Sequence, residues 1–404
     1  MRVLIPTMGT RGDIQPYIAL AQKLSESGFE PIIASHPCWR SLIEQYKIDF
    51  KPIGPDIDIE YEAAFIRGNS KNWMLGMIKT MRFMFKIIEN SSLEILDLCH
   101  DVSLVIASHS HIGAAEAEAS GLPYISISFM TGIIPKKLEK ISALKSFLQK
   151  VVGFFINPLM VGSYNRLRKT LDLKKVRTFY DLISPSLNII PISPLVSPPN
   201  EFWEEKNKVV GYWFTDENKA YIPSEALAHF IQDGPPPIVI SLGAMSFESK
   251  EEKSKLDIFV KAINNSGMRA IIQGFNKTLQ NYILPNNMIS VGNIPHSWLF
   301  EHAYCVIHHG GFGTTAAALR AGVPSIIIPH VLDQFEWANT VYALGAGTLP
   351  LSCKDLSEEE LTDTINSLKR DYSEISEKAK ELGGKIKSED GLAKSVELIR
   401  GMKI

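Results

Sequence analysis

A chain of 404 residues is long for one hydrophobic core and comfortable for two domains. Its 45% apolar and 21% charged residues fit an ordinary globular protein, and a formal net charge of −2 argues against nucleic acid as its partner. Cys38, Cys99, Cys305 and Cys353 lack C-x-x-C spacing and read as reduced thiols, which fits a cytoplasmic protein.

Met1 leads directly into the strand-like Arg2–Pro6, so no signal peptide is expected, and no run approaches the ~18 apolar residues of a membrane span. Further strands are expected at Pro31–Ala34, Leu104–Ala107, Tyr124–Ser128 and Asn188–Pro191. A helix should run from about Ile14 to Ser27, with Ile18, Leu20, Ala21 and Leu24 at helical spacing and Gly28 as its stop.

Between the first strand and this helix stands Met8-Gly-Thr-Arg-Gly-Asp-Ile-Gln-Pro16. It is not a dinucleotide fingerprint, because Arg11 and Asp13 replace the small residues that let pyrophosphate approach. It places Asp13 at the mouth of the first sheet. There the carboxylate either caps the helix or pairs with Arg11, or it acts chemically.

Residues 56–90 are dense in methionine and aromatics, as in WMLGMIKTMRFMF from Trp73 to Phe85. They suit either a core helix or an adaptable wall for an apolar ligand, in which Trp73, Met77 and, further on, Phe129 would take part. Ser108-His109-Ser110-His111 follows a strand, so both histidines are candidates for the same pocket or simply hydrogen-bonded at a strand end. Residues 136–177 carry eleven Lys/Arg against Glu139 and Asp172. That is a solvated helix face or a weak contact with an anionic bilayer.

Proline-rich texture from Ile192 and again at Gln232–Pro237 separates two halves, with domains expected at 1–214 and 215–404 and the last helix packing back on the first. Strands resume at Ile238–Leu242, Ala270–Gln273, Met288–Val291, Ala303–Ile307 and Ser325–Ile328. Alternating strands and helices indicate an α/β protein with two doubly wound parallel sheets. Ligands of such sheets sit beyond the strands' carboxyl ends, so two facing domains would share a cleft.

The most specific segment is His308-His-Gly-Gly-Phe-Gly-Thr-Thr315, between a strand and an Ala/Leu helix. Small residues at a helix N-terminus admit a phosphate to free N–H groups. Asp333-Gln334, after the next strand, offers a carboxylate and a carboxamide suited to sugar hydroxyls. Together they point to a nucleotide sugar.

Taken together, GTRGDIQP, VVGYWF at 209–214, NIPHSWLF at 293–300 and HHGGFGTTAAALRAGVP with DQFEWA resemble the UDP-glycosyltransferase superfamily. The branch resembled is that of the sterol glucosyltransferases and the bacterial antibiotic-aglycone and macrolide glycosyltransferases. The resemblance implies the GT-B fold: two Rossmann-like domains, the first for acceptor and the second for donor. It also implies an inverting, metal-independent transfer without a resident cofactor, in which UDP-sugar or dTDP-sugar is a co-substrate and the acceptor is an apolar small molecule.

Carried onto this sequence, the resemblance makes Asp13 the general base. His309 would touch the β-phosphate, and Gly311, Gly313 and Thr314 would hold the diphosphate. Asp333 and Gln334 would bind the sugar, and the backbone of Ile294 would read the base edge. Three positions depart from the pattern. Asn293 replaces the tryptophan on which plant relatives stack uracil, leaving Phe275 or Trp298 as alternatives. Ala317 replaces their ribose-binding glutamate. Ala244 replaces the serine that follows Gly243 in the first loop of the second domain, with Ser246 close enough to substitute. The expected function is transfer of a hexose, above all glucose, to a hydroxyl. A nucleotide-sugar-binding protein that does not transfer, and a lipid glycosyltransferase docked on a membrane, are the alternatives.

Overall fold

The computed structural model describes residues 1–70, 73–132, 134, 161–215, 221–243 and 252–402. Met1–Ile59, Met77–Thr215 and Asp390–Ile404 form one compact unit, and Glu60–Gly76 with Asp216–Glu389 forms the other. Each unit is built around its own sheet.

The first sheet holds β1 (Arg2–Pro6), β2 (Glu30–Ser35), β3 (Asp49–Pro52), β4 (Leu104–Ala107), β5 (Tyr124–Ile127), β6 (Asn188–Ile190) and β7 (Asn207–Val209). They are parallel and ordered β3-β2-β1-β4-β5-β6-β7. The second sheet holds β8 (Ile238–Ser241), β9 (Ala270–Gln273), β10 (Met288–Val291), β11 (Cys305–His308) and β12 (Ser325–Ile327), ordered β10-β9-β8-β11-β12 and again parallel. The central strands are continuous apolar runs because both faces are covered. Two strands escape the sequence pattern, β3 and β7. Both are edge strands of the first sheet and rich in polar residues, which discourages pairing with another chain.

In the first unit the helices are α1 (Arg11–Glu26), α2 (Arg40–Glu44), the latter part of α4 (Trp73–Cys99), α5 (Ala114–Ala119) and α6 (161–170). Helix α3 (Ile59–Gly68) and the first turn of α4 belong to the second unit, whose other helices are α7 (Glu225–Gln232), α8 (Glu252–Asn265), α9 (Asn276–Leu279), α10 (His296–Leu299), α11 (Phe312–Ala321), α12 (Leu332–Ala343), α13 (Glu358–Arg370) and α14 (Tyr372–Lys387). The last helix, α15 (Gly391–Arg400), packs on α1 within the first unit.

Trp213 explains that docking. Its indole Nε1 donates to Ser395 Oγ at 2.9 Å and to the Gly391 carbonyl at 3.3 Å. Gly391 lies so close to the Gly211 carbonyl that no Cβ fits there, and Gly211 itself takes a φ of +108° that favours glycine.

The strand order fixes where chemistry can happen. β1 lies between β2 and β4, and β8 lies between β9 and β11. At such a switch point the connections leaving neighbouring strands diverge and open a crevice at their carboxyl ends. The loops after β1 and β4 meet over one crevice, and the loops after β8 and β11 over the other.

Candidate active site

Helix α1 begins at Arg11, three residues ahead of its sequence-based start, so Asp13 stands in its first turn. Asp13 Oδ2 accepts the Thr10 backbone N–H at 2.7 Å and the Thr10 hydroxyl at 2.9 Å. Capping and chemistry are therefore not alternatives here. One carboxylate oxygen closes the helix end while the other, Oδ1, faces His109 Nε2 at 3.1 Å. Gly9, at φ +137°, passes so close to Oδ2 that a Cβ would collide with it, and Trp39 Nε1 holds the Gly9 carbonyl at 3.0 Å.

A carboxylate offers about four lone-pair sites. Thr10 N–H, Thr10 O–H and His109 fill three of them. With its side chain 32% exposed, Asp13 keeps one site unfilled among the described residues. Burial pushes its carboxyl up, but the hydrogen bond from His109 and the two Thr10 bonds hold it below the usual carboxylate range.

His109 comes from the loop after β4. Its backbone N–H donates to Tyr17 Oη at 2.7 Å, and the same hydroxyl lies 3.2 Å from its Nδ1. Phe129 stacks on the imidazole at 4.5 Å between centroids and 17° between planes, and Tyr17 lies on a nearly parallel plane. His111 is placed differently from its neighbour. It is buried with its ring edge-on to Tyr164 and Phe179, and burial lowers it to about 3. Neither of its ring nitrogens has a partner among the described residues. Trp73 and Met77 stand in the first two turns of α4, but their side chains fall outside the described residues.

In the second unit His309 leaves β11 and turns under the N-terminus of α11. Gly243, at φ +58°, follows β8 so closely that a Cβ would lie 2.9 Å from His309 Cε1. A Cβ on Gly311 would collide with His309 Nε2, so the ring is held between two glycine backbones with Nε2 toward the helix N-terminus. Gly313 is exposed with nothing near its missing Cβ, and Thr314 in the same turn is buried. Burial lowers His309 to about 4, with the Ser241 carbonyl pulling the other way, so the imidazole is neutral at pH 7 in the free protein. His308 is fully buried, and its Nδ1 accepts the Gly310 N–H at 3.1 Å.

Asp333 lies in the first turn of α12. Gln334 is buried, and its Oε1 accepts the His330 and Val331 N–H groups at 2.8 and 3.2 Å, capping α12. The Ile294 carbonyl already accepts Gln273 Nε2 at 3.0 Å, and Gln273 Oε1 in turn meets Ser241 Oγ and His296 Nε2, each at 3.1 Å. Phe275 must be corrected. It is fully buried against Phe259 and presents no ring face to a base, whereas Trp298, between Tyr221 and His302, remains partly exposed. Ser246 and Ala244 lie outside the described residues.

The sequence reading missed Thr10, Tyr17, Gln273 and His296. Thr10-x-x-Asp13 is a capping-box spacing, and Tyr17 is one helical turn beyond Asp13, so two of the four carried a signal. Gln273 and His296 are polar residues at strand and loop ends, and only the fold brings them together.

Two family models match the chain. One, the glycosyltransferase family 28 N-terminal domain, matches residues 3–141, and the other, the erythromycin biosynthesis protein CIII-like C-terminal domain, matches 270–390. A sterol 3-beta-glucosyltransferase of Arabidopsis thaliana is 30% identical over 430 residues, covering 98% of this chain and 67% of that protein. Its counterpart in Pichia angusta is 32% identical over 426 residues, covering 98% of this chain and 33% of that protein. The chain thus spans about two thirds of the plant relative and a third of the yeast one. Among solved structures, the kitacinnamycin glycotransferase superposes with a TM-score of 0.76 at 14% identity, over 99% of this chain and 98% of that one. The glycosyltransferase VinC, solved in complex with dTDP, gives 0.69 at 20% identity over 99% of both chains. At these identities the likeness is one of fold, that of GT-B glycosyltransferases.

Proposed function

We propose the following reaction for this chain, which belongs to the glycosyltransferase family that includes the sterol 3-beta-glucosyltransferases. A hexose, glucose first, passes from a UDP-sugar to the hydroxyl of an apolar small molecule, with inversion and without a metal ion. The acceptor O–H gives its proton to Asp13 as its oxygen bonds to the anomeric carbon. The bond from that carbon to the diphosphate breaks, and its electron pair leaves with UDP.

The observation that carries this reading is the Asp13 carboxylate, held on three sides by Thr10 and His109 with one site open. A base fixed by its neighbours loses little entropy when the acceptor arrives. For the leaving group, His309 Nε2, Thr314 and the N–H groups of Gly311 and Gly313 supply donors at a helix N-terminus, the work a cation would otherwise do. Asp333 and the amide of Gln334 would take sugar hydroxyls, and Trp298 is the ring left to stack the base. His109 and Phe129 would line the acceptor side.

The relatives are named for sterols, so a sterol is the first acceptor to test. Purified protein is incubated with UDP-glucose or dTDP-glucose and a panel of sterols and other apolar alcohols, and products are read by mass spectrometry. A sterol glucoside formed with UDP-glucose is expected. Nucleotide binding with neither transfer nor slow donor hydrolysis would instead favour the non-transferring reading.

One observation favours a membrane-docked form of the same enzyme. Lys79, Arg82 and Lys86 are exposed along α4 beside Ile78 and Met81, and none of the three forms an ion pair among the described residues. Glu89, one turn on, is taken by Arg166 of α6 at 3.0 Å. Residues 136–160 of the basic stretch lie outside the described residues. Co-sedimentation with anionic but not neutral vesicles, reversed by salt, is the expected result. No described helix is long and apolar enough to cross a membrane. Free thiols at all four cysteines support a reducing, cytoplasmic setting.

A further inference from the structure

We infer that Tyr17 is a positioning residue for the transfer: its hydroxyl proton occupies Nδ1 of His109, so the imidazole stays neutral and turns an N–H, not a cation, toward Asp13. The inference rests on the reading of Asp13 as base.

Tyr17 is fully buried, and both hydrogen-bond partners of its oxygen are on His109. The backbone N–H of His109 can only donate, so it uses one lone pair of the phenol oxygen. Burial, with the charge of Asp13 adding to it, pushes the phenol well above its ordinary range, so the oxygen keeps its hydrogen. Among the described residues that hydrogen has one acceptor in reach, Nδ1 at 3.2 Å. A neutral imidazole carries a single N–H. With Nδ1 accepting, the hydrogen sits on Nε2, the atom 3.1 Å from Asp13 Oδ1.

Protonating His109 would put a second hydrogen on Nδ1, facing the phenol's own. The hydroxyl would then have to turn away among the rings of Phe129 and Trp213, 5.8 and 6.4 Å from the phenol ring, neither of which offers it an acceptor. Leaving a buried donor unmade is costly. The titratable groups facing His109 among the described residues are Asp13 and Tyr17, both from α1, and His111 from its own loop. His111 is itself held neutral by burial, so it supplies no charge that would do this work instead. The consequence falls on Asp13. A carboxylate beside a cation loses basicity by about 1–3 pH units, and one bonded to a neutral N–H loses less.

The test compares wild type, Tyr17→Phe, His109→Gln and the double variant. Ring-nitrogen NMR of His109 at pH 6.5 should show one protonated nitrogen, Nε2, in the wild type and two in Tyr17→Phe. In Tyr17→Phe, kcat/KM should fall roughly tenfold at pH 6 and recover toward wild type near pH 8.5. KM for the donor should not change. In the His109→Gln background, where no cation can form, Tyr17→Phe should leave the shape of the pH profile unchanged. An unchanged His109 spectrum, or a loss independent of pH and of His109, overturns the role of Tyr17. Separately, near-normal turnover in Asp13→Asn would remove the base reading beneath it, so the two failures are distinguishable. UDP affinity and the thermal midpoint of each variant report whether it has folded.

Discussion

His109 Nε2 lies 3.1 Å from Asp13 Oδ1, one residue from each side of the switch between β1 and β4. The sequence reading treated the two separately, giving Asp13 the proton transfer with no orienting partner and leaving His109 in the acceptor wall or idle at a strand end. On the proposed reading the carboxylate would contact the acceptor while the imidazole keeps one of its oxygens in place.

His109→Ala should therefore retain the base and lose its orientation. Turnover is expected to fall by roughly 10- to 100-fold, part of the ~10²–10⁴ that a positioned base contributes. Affinity for UDP, measured by calorimetry, should stay within error, because the donor loop belongs to the other unit. A loss of UDP affinity matching the loss of turnover would show that His109 acts on folding or donor binding.

Nucleotide binding should take up a proton. His309 is lowered to about 4 in the free protein by burial, and a diphosphate at the α11 N-terminus would raise it. A group whose affinity for protons rises on binding makes binding tighter as pH falls. Calorimetry of UDP in two buffers of different ionisation enthalpy should show net uptake between pH 5.5 and 7, allowing for the phosphate's own titration. His309→Gln should abolish the protein's share, and equal uptake in wild type and variant would remove His309 from the phosphate site.

Gly243→Ala and Gly311→Ala each place a methyl group against the His309 ring, at 2.9 Å from Cε1 in the first case and closer to Nε2 in the second. The backbone at Gly243 adds a second penalty, since φ +58° is the left-handed region. Both variants should bind UDP at least about tenfold more weakly, from a lost or displaced donor worth ~1.5–3 kcal/mol. Gly313→Ala is the control. Open space surrounds its missing Cβ in the free protein, so it should fold normally, and any loss should appear in ligand affinity alone.

Trp213→Phe removes the indole bonds to Ser395 and Gly391 that fasten α15 to the first unit. A loss of about 1–3 kcal/mol in that unit's stability is expected. Hydrogen exchange should localise it to α15 and the part of α1 beneath it. Protection of α15 equal to wild type would mean that its packing on α1 suffices without the indole.

The central strands of both sheets were legible in the sequence because parallel strands buried on two faces are apolar throughout. β3 and β7 were not, because these two edge strands are short and rich in polar residues, whereas the apolar edge strands β10 and β12 were legible. The glycines around His309 read from the sequence as a phosphate loop, and what the fold shows of Gly243 and Gly311 is that they make room for the imidazole, which no spacing reveals. Phe275 shows the reverse case. An aromatic residue after a strand reads as a candidate stacking ring, yet the left-handed turn at φ +55° sends it into the core against Phe259. Gln334, expected from the sequence as a sugar ligand, is a helix cap through its Oε1, a use the sequence reading did not anticipate. Pairings such as Asp13 with His109 are invisible in a single sequence, since they depend on strand order.

The most direct test of the account is the turnover of Asp13→Asn with UDP-glucose and a sterol, alongside its UDP affinity. The amide preserves the shape of the side chain and cannot take the acceptor's proton. Turnover reduced by at least about two orders of magnitude with UDP affinity intact is the predicted result. Turnover within a few-fold of wild type would contradict the assignment of Asp13 as the base.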